Sequence, residues 1–207
     1  PLPEDEAEWK NLMVIFATAK GNIRKNTLED FVNINNSGKI AMKLDQDDKI
    51  IGVKICRDDQ DILLSTKFGK CIRFKSKKLR LFKGRSSKGI KGIKLNEKDK
   101  VISLSILDNS NIDPKIINKD KKIKNGLDKY ILSVSENGYG KRSSLDAYRI
   151  TNRGGKGVKT ISITEKTGKL VSLKNVTDND DLMIINKSGI AIRMEVASLR
   201  VMGRATQ

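Results

Sequence analysis

A glycine-rich loop at residues 151–157 offers the most specific chemistry in this sequence. It reads Thr-Asn-Arg-Gly-Gly-Lys-Gly, so Arg153 and Lys156 stand among three glycines. Because glycine has no Cβ atom, such a backbone can approach a phosphate closely and turn its N–H groups towards it. The spacing does not fit a nucleotide-binding P-loop, which needs Ser or Thr directly after the lysine. We therefore predict a phosphate-contacting loop; the alternative is a flexible linker whose charges only prevent aggregation.

A second basic feature is a long stretch without acidic residues, which we call the basic stripe (residues 62–96). It carries 12 basic residues and no Asp or Glu, whereas a solvated face normally mixes both signs. They are Lys67, Lys70, Arg73, Lys75, Lys77, Lys78, Arg80, Lys83, Arg85, Lys88, Lys91 and Lys94. Over the whole chain, 42 basic and 25 acidic residues give a net charge of +17. This excess favours a polyanionic partner, and phosphate contacts would position a nucleic acid without reading its bases.

The composition also removes most enzymatic chemistry. There is no histidine, which excludes Ser-His and Cys-His nucleophile pairs and every His-containing metal site. Cys56 and Cys71 cannot bind zinc alone, and we expect buried free thiols in a reducing compartment. Asp58, Asp59 and Asp61 lie in a predicted turn, where solvation explains them. We therefore expect no catalytic residue, no metal and no cofactor in this chain.

The ends and the hydropathy of the chain bear on its location. No apolar run reaches the roughly 18 residues that a membrane span needs. The first six residues, Pro-Leu-Pro-Glu-Asp-Glu, lack the apolar stretch of a signal peptide and do not begin with Met. The sequence therefore predicts a cytoplasmic protein without membrane contact, of which this chain is a piece.

These basic residues belong to a repeated β-hairpin. In each copy an apolar run precedes a turn glycine, and a basic residue follows four positions after that glycine. The copies are Gly21 with Lys25, Gly69 with Arg73, Gly138 with Arg142, and Gly189 with Arg193. Glycine permits the positive φ of a tight turn, and the returning strand alternates as a half-buried strand does. We predict that basic side chains on the last three return strands contact DNA.

Two further strands follow the hairpin in each of the first three units. Alternating segments open at a glycine at residues 38–44, 89–95 and 157–163, and each precedes a short apolar run. The turn glycines are 48, 69 and 51 residues apart, and a polar, Lys-rich insertion at residues 109–128 explains the long interval. Without it, the period is near 49 residues.

Four-stranded units at this period predict an all-β, propeller-like fold with about four blades, the last one incomplete. A WD-repeat is disfavoured because there is no Trp-Asp dipeptide, and a kelch array because a double glycine occurs once. An acidic lead-in at residues 1–12, expected to be extended with Trp9 packed on the first blade, precedes the domain at residues 13–207. The units are predicted at residues 13–59, 60–128 with the inserted loop 109–128, 129–179 and 180–207.

The loop and the repeats together resemble the C-terminal domain of the DNA gyrase A subunit. The loop matches five of the seven positions of that family's box, Gln-Arg-Arg-Gly-Gly-Lys-Gly, and registered matches at residues 16–21, 38–44 and 136–143 extend the similarity from about residue 13 to residue 207. The resemblance implies a β-pinwheel of six blades in which neighbouring blades exchange strands. It also implies a non-catalytic domain that bends duplex DNA around its basic rim in support of negative supercoiling.

The same resemblance implies that the chemistry lies elsewhere in the parent enzyme. Its catalytic tyrosine, ATP and Mg²⁺ belong to other regions, and the parent would form an A2B2 heterotetramer with the gyrase B subunit on the bacterial nucleoid. In the family, the full box lies in the first blade, whereas the first unit here resembles a later blade. The box at residues 151–157 is therefore interpreted as a degenerate copy, with weaker copies at residues 85–89 and at Arg204.

The predicted DNA-contacting surface combines the loop, the basic stripe and the return strands. Its residues are Arg153, Gly154, Gly155, Lys156, Gly157, Lys70, Arg73, Lys75, Lys77, Lys78, Arg80, Arg85, Lys88, Lys91, Lys141, Arg142, Arg193 and Arg204. Two alternatives stay open: the corresponding domain of topoisomerase IV, and a propeller-like scaffold that binds RNA or acidic proteins. A hydrolase is disfavoured because no nucleophile is accompanied by a base.

Overall fold

The computed structural model describes residues 5–33, 35–108 and 129–206, and within these ranges the chain consists of β-strands and short 3₁₀ turns. The strands are β1 (Met13–Thr18), β2 (Asn22–Thr27), β3 (Ile50–Cys56), β4 (Asp61–Thr66), β5 (Lys70–Lys75), β6 (Ile90–Lys91), β7 (Val101–Leu107), β8 (Tyr130–Ser135), β9 (Gly140–Ser144), β10 (Val158–Lys159), β11 (Leu170–Val176), β12 (Asp181–Ile185) and β13 (Ala191–Glu195). The 3₁₀ turns are Glu6–Asn11, Leu28–Phe31, Ser76–Lys78, Leu145–Ala147 and Val196–Ser198. The predicted inserted loop at residues 109–128 lies outside the described residues.

The strands form four antiparallel sheets, which we call blades 1 to 4. Their strand orders are β3-β1-β2-β6, β10-β5-β4-β7, β11-β8-β9 and β12-β13. Strand β6 belongs to the second unit in sequence but completes blade 1, and β10 of the third unit completes blade 2. Neighbouring blades therefore exchange strands, which confirms the predicted propeller-like β-pinwheel.

The alternating segments form much shorter strands than the sequence predicted. Residues 89–95 and 157–163 contribute only β6 and β10, and residues 38–44 contribute no strand. Each short strand pairs with the return strand of the preceding unit, so that Ile90 opposes Ile23 and Val158 opposes Cys71. The pairing is limited to the place where two units touch, and among the described residues no unit precedes the first.

The apolar core lies between the blades. Strand β4 is buried on both faces: Ile62 and Leu64 pack with Ile15 of blade 1, while Leu63 packs with Ile131 of blade 3. A short apolar run without alternation is typical of a strand covered on both sides. Burial of each such side chain stabilises the fold by about 1.5–3 kcal/mol.

The two cysteines belong to two different inter-blade clusters, Cys56 to the one between blades 1 and 2 and Cys71 to the one between blades 2 and 3. Cys56 and Cys71 are buried free thiols, as predicted. Loss of solvation raises the pKa of both thiols, that of Cys71 to about 12, so the thiol stays protonated at neutral pH.

The hairpin turns need glycine for two reasons. Gly21 and Gly69 have φ values of +81° and +76°, in the left-handed region that disfavours other residues. A Cβ atom on Gly21 would stand 2.8 Å from the carbonyl oxygen of Ile93, and one on Gly69 would stand 2.7 Å from that of Ile161. Each turn therefore touches the backbone of the next unit, which fixes the distance between blades.

The lead-in segment differs in part from the prediction. It forms the 3₁₀ turn Glu6–Asn11 and not an extended strand, and Asp5 caps it by accepting a 2.8 Å hydrogen bond from the backbone N–H of Ala7. Trp9 packs against the cluster of Val14 and Phe16 on blade 1, as predicted. Within the described ranges, no helix is long and apolar enough to cross a membrane.

Candidate nucleic-acid interface

Three stretches of the chain cross from one unit to the previous blade, and we call them the crossing segments (residues 79–91, 148–159 and 199–206). Each begins beside a return strand of that blade. In each case a backbone N–H donates to a backbone carbonyl oxygen of the return strand at 2.8–2.9 Å. The pairs are Phe82 with Lys25, Thr151 with Arg73, and Met202 with Arg142. The first two segments end in β6 and β10. The same edge of blades 1, 2 and 3 is thus covered by the following unit.

This edge is the outer one. On the opposite edge, β3 packs against β7 and β7 packs against β11. There Ser103 of β7 donates a 2.8 Å hydrogen bond to the carbonyl oxygen of Leu173 on β11. Strands β3, β7 and β11 thus form the inner edge of these three blades, and the crossing segments run along the opposite edge, where a long ligand could pass from blade to blade.

The crossing segments hold a dense and one-signed charge. They contain 11 basic residues and no acidic residue. The basic residues are Arg80, Lys83, Arg85, Lys88, Lys91, Arg149, Arg153, Lys156, Lys159, Arg200 and Arg204. Arg85 and Arg204 are half-buried, and the other nine are exposed. Charges of one sign on a continuous surface attract a polyanion and raise its association rate.

The glycine-rich loop is held by the segment before it. The Arg153 guanidinium donates to the carbonyl oxygen of Lys91 at 3.2 Å. The backbone N–H of Gly154 donates to the carbonyl oxygen of Gly92 at 2.6 Å. The backbone N–H of Lys94 in turn donates to the carbonyl oxygen of Gly155 at 2.9 Å. The loop is therefore an ordered part of the outer edge and not a free linker in this structure.

The same linkage recurs in the other two crossing segments. The Arg85 guanidinium donates to the carbonyl oxygen of Ile40 at 3.2 Å, and that of Arg204 donates to the carbonyl oxygen of Lys159. One arginine per segment thus joins each outer-edge loop to the preceding unit. An arginine has five N–H donors, so such a bond leaves others for a phosphate.

The glycines of the loop have different roles. A Cβ atom on Gly157 would stand 2.4 Å from the carbonyl oxygen of Cys71. A Cβ atom on Gly89 would likewise stand 2.4 Å from the carbonyl oxygen of Ile23. These glycines let a crossing segment lie on the previous blade. Gly154 has a φ of +79°, whereas Gly155 has room for a Cβ atom and is exposed. Gly155 is thus the position at which a bound backbone could approach the loop.

Residues three positions after the turn glycines support the crossing segments from below. Arg24, which is fully buried, donates to the carbonyl oxygens of Arg85 and Ser87 at 2.5 and 2.8 Å. Lys141 donates to three carbonyl oxygens of residues 203–206 at 2.6–2.9 Å. At the same position in the second unit, Ile72 packs beneath Gly155. Burial, with the charge of Arg204, lowers the pKa of Lys141 to about 8.

Three residues predicted to contact DNA are instead buried. Arg73 is 8% exposed, Lys141 is 2% and Arg142 is 6%. Arg73 pairs with the fully buried Asp61 at 2.8 Å, and Arg142 pairs with Asp178. These side chains bind the protein itself, because the following unit covers the return strand that carries them. The structure thus contradicts their predicted surface position.

Of the neighbouring carboxylates predicted to be solvated, Asp58 and Asp59 are exposed as predicted, whereas Asp61 is buried because the following unit covers it. The Asp61 carboxylate pairs with the Arg73 guanidinium. The Asp58 carboxylate pairs at 2.7 Å with the ammonium group of Lys25, a residue that is 4% exposed. The basic residue four positions after the turn glycine is therefore a structural cation in the first three units. In the fourth unit, Arg193 pairs with Asp181 but remains exposed.

The remaining predicted residues lie around the outer edge. Lys77 and Lys78 are exposed on the 3₁₀ turn that leads into the first crossing segment, and Lys70 and Lys75 are half-buried at the two ends of β5. Lys88 is exposed and pairs with Asp45. These positions are compatible with contact to a ligand.

Residues 83, 149, 159 and 200 belong to this surface but are absent from the predicted set. A signal for two of them is present in the sequence. Arg80, Arg149 and Arg200 each follow the last residue of a return strand by five positions. Only the structure shows that this position is the second residue of each crossing segment.

In the described part of the chain, no group of three or more His, Cys, Asp or Glu side chains could hold a metal ion. The buried Tyr148 hydroxyl forms a 2.8 Å hydrogen bond with the Thr160 hydroxyl, and loss of solvation raises the pKa of Tyr148 to about 12. What the outer edge offers is a preformed, positively charged surface.

Comparisons with known proteins agree with this architecture. The family model described as DNA gyrase C-terminal domain, beta-propeller, matches residues 12–57, 60–108, 129–177 and 180–207. The DNA gyrase A subunit of Rickettsia prowazekii (strain Madrid E) is 42% identical over 236 residues, which cover 100% of this chain and 26% of the relative. That of Staphylococcus aureus (strain MRSA252) is 38% identical over 202 residues, covering 98% and 21%. The chain spans about a quarter of the length of these curated relatives.

Two solved structures resemble the fold. A DNA gyrase A C-terminal domain superposes with a TM-score of 0.77 at 25% identity, covering 95% of this chain and 60% of that one. The C-terminal domain of a DNA topoisomerase IV superposes with a TM-score of 0.83 at 18% identity, covering 100% and 58%. The second likeness concerns the fold alone.

Proposed function

The chain belongs to the DNA gyrase C-terminal domain, beta-propeller, family, and we propose that it binds duplex DNA along the outer edge of its blades and bends it. The observation that carries this proposal is the set of three crossing segments, with 11 basic residues, no acidic residue and a backbone anchored to the previous blade. B-DNA presents one negative charge per about 1.7 Å of its axis, so a duplex lying along these segments would offer phosphates to the cations of each blade.

The anchoring of the loops supports bending. Gly154, Arg85 and Arg204 bond each outer-edge loop to the preceding unit, so the cations stay in place when a stiff polymer pulls on them. Bending 20–30 base pairs by 40–90° costs on the order of 1–6 kcal/mol. Several phosphate contacts on each of three blades can offset that cost.

Base sequence should matter little to this contact. The described residues present no recognition helix, and the crossing segments consist of loops and two-residue strands. Arginine and lysine bound to phosphates position a duplex but do not read it. Any preference among duplexes should therefore follow their flexibility.

The role of the whole protein follows from the family and is part of the proposal. We infer that the parent is an ATP-dependent type II topoisomerase, in which this non-catalytic domain wraps DNA for negative supercoiling. ATP and Mg²⁺ would act in other regions of an A2B2 assembly with the gyrase B subunit, in the cytoplasm on the nucleoid. The support is the identity to the A subunits of DNA gyrases along the whole chain.

A salt titration of duplex binding tests the proposal. Each phosphate contact releases condensed counterions, so log affinity should fall with log salt at a slope of about −0.9 per contact. Two or three contacts on each of three blades would give a slope of roughly −5 to −8. Replacing Arg153 and Lys156 by Ala should lower the magnitude of the slope by about two and reduce bending, measured by energy transfer between the duplex ends.

A matched control removes the same charge from the inner edge. Lys54 of β3 and Lys174 of β11 are exposed on strands that face away from the crossing segments. Their double replacement by Ala should leave the slope and the bending unchanged. A flat salt dependence of the unmodified chain, or equal effects of the two double variants, would contradict DNA binding at the outer edge.

A further inference from the structure

The second and third residues of each crossing segment are an arginine and an aliphatic residue. The pairs are Arg80 with Leu81, Arg149 with Ile150, and Arg200 with Val201. They stand at the same place in three units, five and six positions after the end of a return strand. The aliphatic side chain is 45% exposed in all three.

The backbone holds these aliphatic residues in equivalent positions. Leu81 forms a parallel bridge with Lys25, Ile150 with Arg73, and Val201 with Arg142. Those partners are the buried structural cations of the three return strands. The outer-edge position of each aliphatic side chain is therefore fixed by the fold.

Recurrence separates these three side chains from ordinary exposed residues. A single exposed aliphatic residue on a protein surface needs no explanation. Here one recurs per blade, on segments whose other exposed side chains are basic, small or polar and include no acid. A surface that served solubility alone would have no need of an apolar group at the same place in each blade.

We propose that Leu81, Ile150 and Val201 pack against the deoxyribose rings of the bound duplex, while the arginine beside each contacts the neighbouring phosphate. This rests on the proposed function and adds the apolar half of the contact. The charge around the pairs selects the occupant: a protein surface matching it would have to be strongly acidic, whereas a sugar–phosphate backbone alternates anionic and apolar groups as the pairs do.

The exposure of these side chains also sets the kind of contact. Each is already about half covered by its own protein and is tied at its backbone. Because it is half covered and its backbone is bonded to the previous blade, such a side chain does not protrude as the apolar wedges of kinking proteins do. It can cover a sugar, which every nucleotide offers, and the contact is therefore independent of sequence.

The test replaces the three aliphatic residues together by Ser and measures the affinity for a labelled duplex over a range of salt. Apolar contact stabilises the complex in proportion to the area removed from water, so the affinity should fall by about tenfold or more. The salt slope should not change, because no phosphate contact is lost. By contrast, replacing Arg80, Arg149 and Arg200 by Ala should lower the magnitude of the slope by about three.

A matched control uses exposed aliphatic residues of the inner edge. Ile50, Val53 and Val171 are 38%, 49% and 55% exposed on β3 and β11. Their triple replacement by Ser should leave DNA affinity unchanged. Ile150→Thr with Val201→Thr keeps the β-branched shape should the Ser variant fold poorly, and should still weaken binding about threefold.

The outcomes are distinguishable. If the unmodified chain binds DNA with a steep salt slope and the aliphatic variants bind equally well, the sugar contact is wrong and the proposed function stands. In that case the three exposed arginine–aliphatic pairs would serve contact with a protein partner and not with DNA. If the unmodified chain shows no salt-dependent binding, the proposed function fails, and the sugar contact with it.

Discussion

The same ion pair occurs in blade 2 and in blade 4, in two different surroundings. Arg73 reaches Asp61 diagonally across β4 and β5, and Arg193 reaches Asp181 diagonally across β12 and β13. The first pair is 8% and 0% exposed, the second 71% and 41%. The motif and the register are the same, and only the neighbouring unit differs.

The difference shows what the following unit contributes. In blade 2, the third unit covers the return strand and offers the carbonyl oxygens of Leu145 and Tyr148 to the Arg73 guanidinium at 3.2–3.3 Å. In blade 4, the described residues provide no such cover. The repeated basic residue therefore bonds two units together where the following unit covers it, and it is a surface charge where no unit covers it.

The largest contrast is expected from removing the arginine of each pair. Arg73→Ala leaves Asp61 buried without its cation, which typically costs about 3–5 kcal/mol of unfolding free energy. Arg193→Ala should cost about 0–1 kcal/mol, because water solvates Asp181. Urea unfolding of both variants measures the contrast. Equal losses would mean that the burial of the first pair adds nothing to stability.

The apolar positions beside these arginines sharpen the comparison. Leu63 opposes Arg73 and is 1% exposed, whereas Met183 opposes Arg193 and is 63% exposed. Leu63→Ala should cost about 2–5 kcal/mol through lost burial and the cavity left behind. Met183→Ala should stay within about 0.5 kcal/mol, as surface substitutions usually do. Thermal unfolding of both variants and of the unmodified chain measures the two losses of stability. A large loss for Met183→Ala would indicate that blade 4 is covered in solution.

The local features of the fold could be predicted from the sequence. A turn glycine after an apolar run specifies a hairpin, since both the φ and the strand pairing arise within a few residues, as at Gly21 and Gly69. The period of the repeat then specified blades. The short strands β6 and β10 were overestimated, because their length depends on contact with another unit.

The candidate site was less predictable, for a related reason. In sequence, Arg73 and Arg80 are both basic residues of one acid-free stripe. In the structure, Arg73 points between blades while Arg80 lies on the outer edge, because the third unit covers the former. Which lysine or arginine is free for a ligand thus depends on strand exchange, which residue types and spacing do not report.

The comparison extends to a buried charge whose titration can be followed. Lys141 of blade 3 is 2% exposed, and its counterpart in blade 4, Ile192, is 54% exposed. Burial and the charge of Arg204 lower the pKa of Lys141 to about 8, from 10.5 in an unfolded chain. Below pH 8 the folded protein therefore bears the full cost of a buried ammonium ion, which the unfolded chain does not.

This cost should diminish as the pH rises from about 8 to 10.5, because the unfolded chain then binds more protons than the folded one. The unfolding free energy of the unmodified chain should rise in that window by on the order of 1–3 kcal/mol relative to Lys141→Met, which cannot titrate. Measuring the difference between the two proteins cancels the opposite trend from Cys71 and Tyr148, whose raised pKa values lower stability above about pH 9. The difference in unfolding free energy between Ile192→Met and the unmodified chain should not depend on pH, since this substitution removes no charge. A difference between Lys141→Met and the unmodified chain that stays constant from pH 7 to 10.5 would mean that the carbonyl oxygens of residues 203–206 stabilise the ammonium as well as water does.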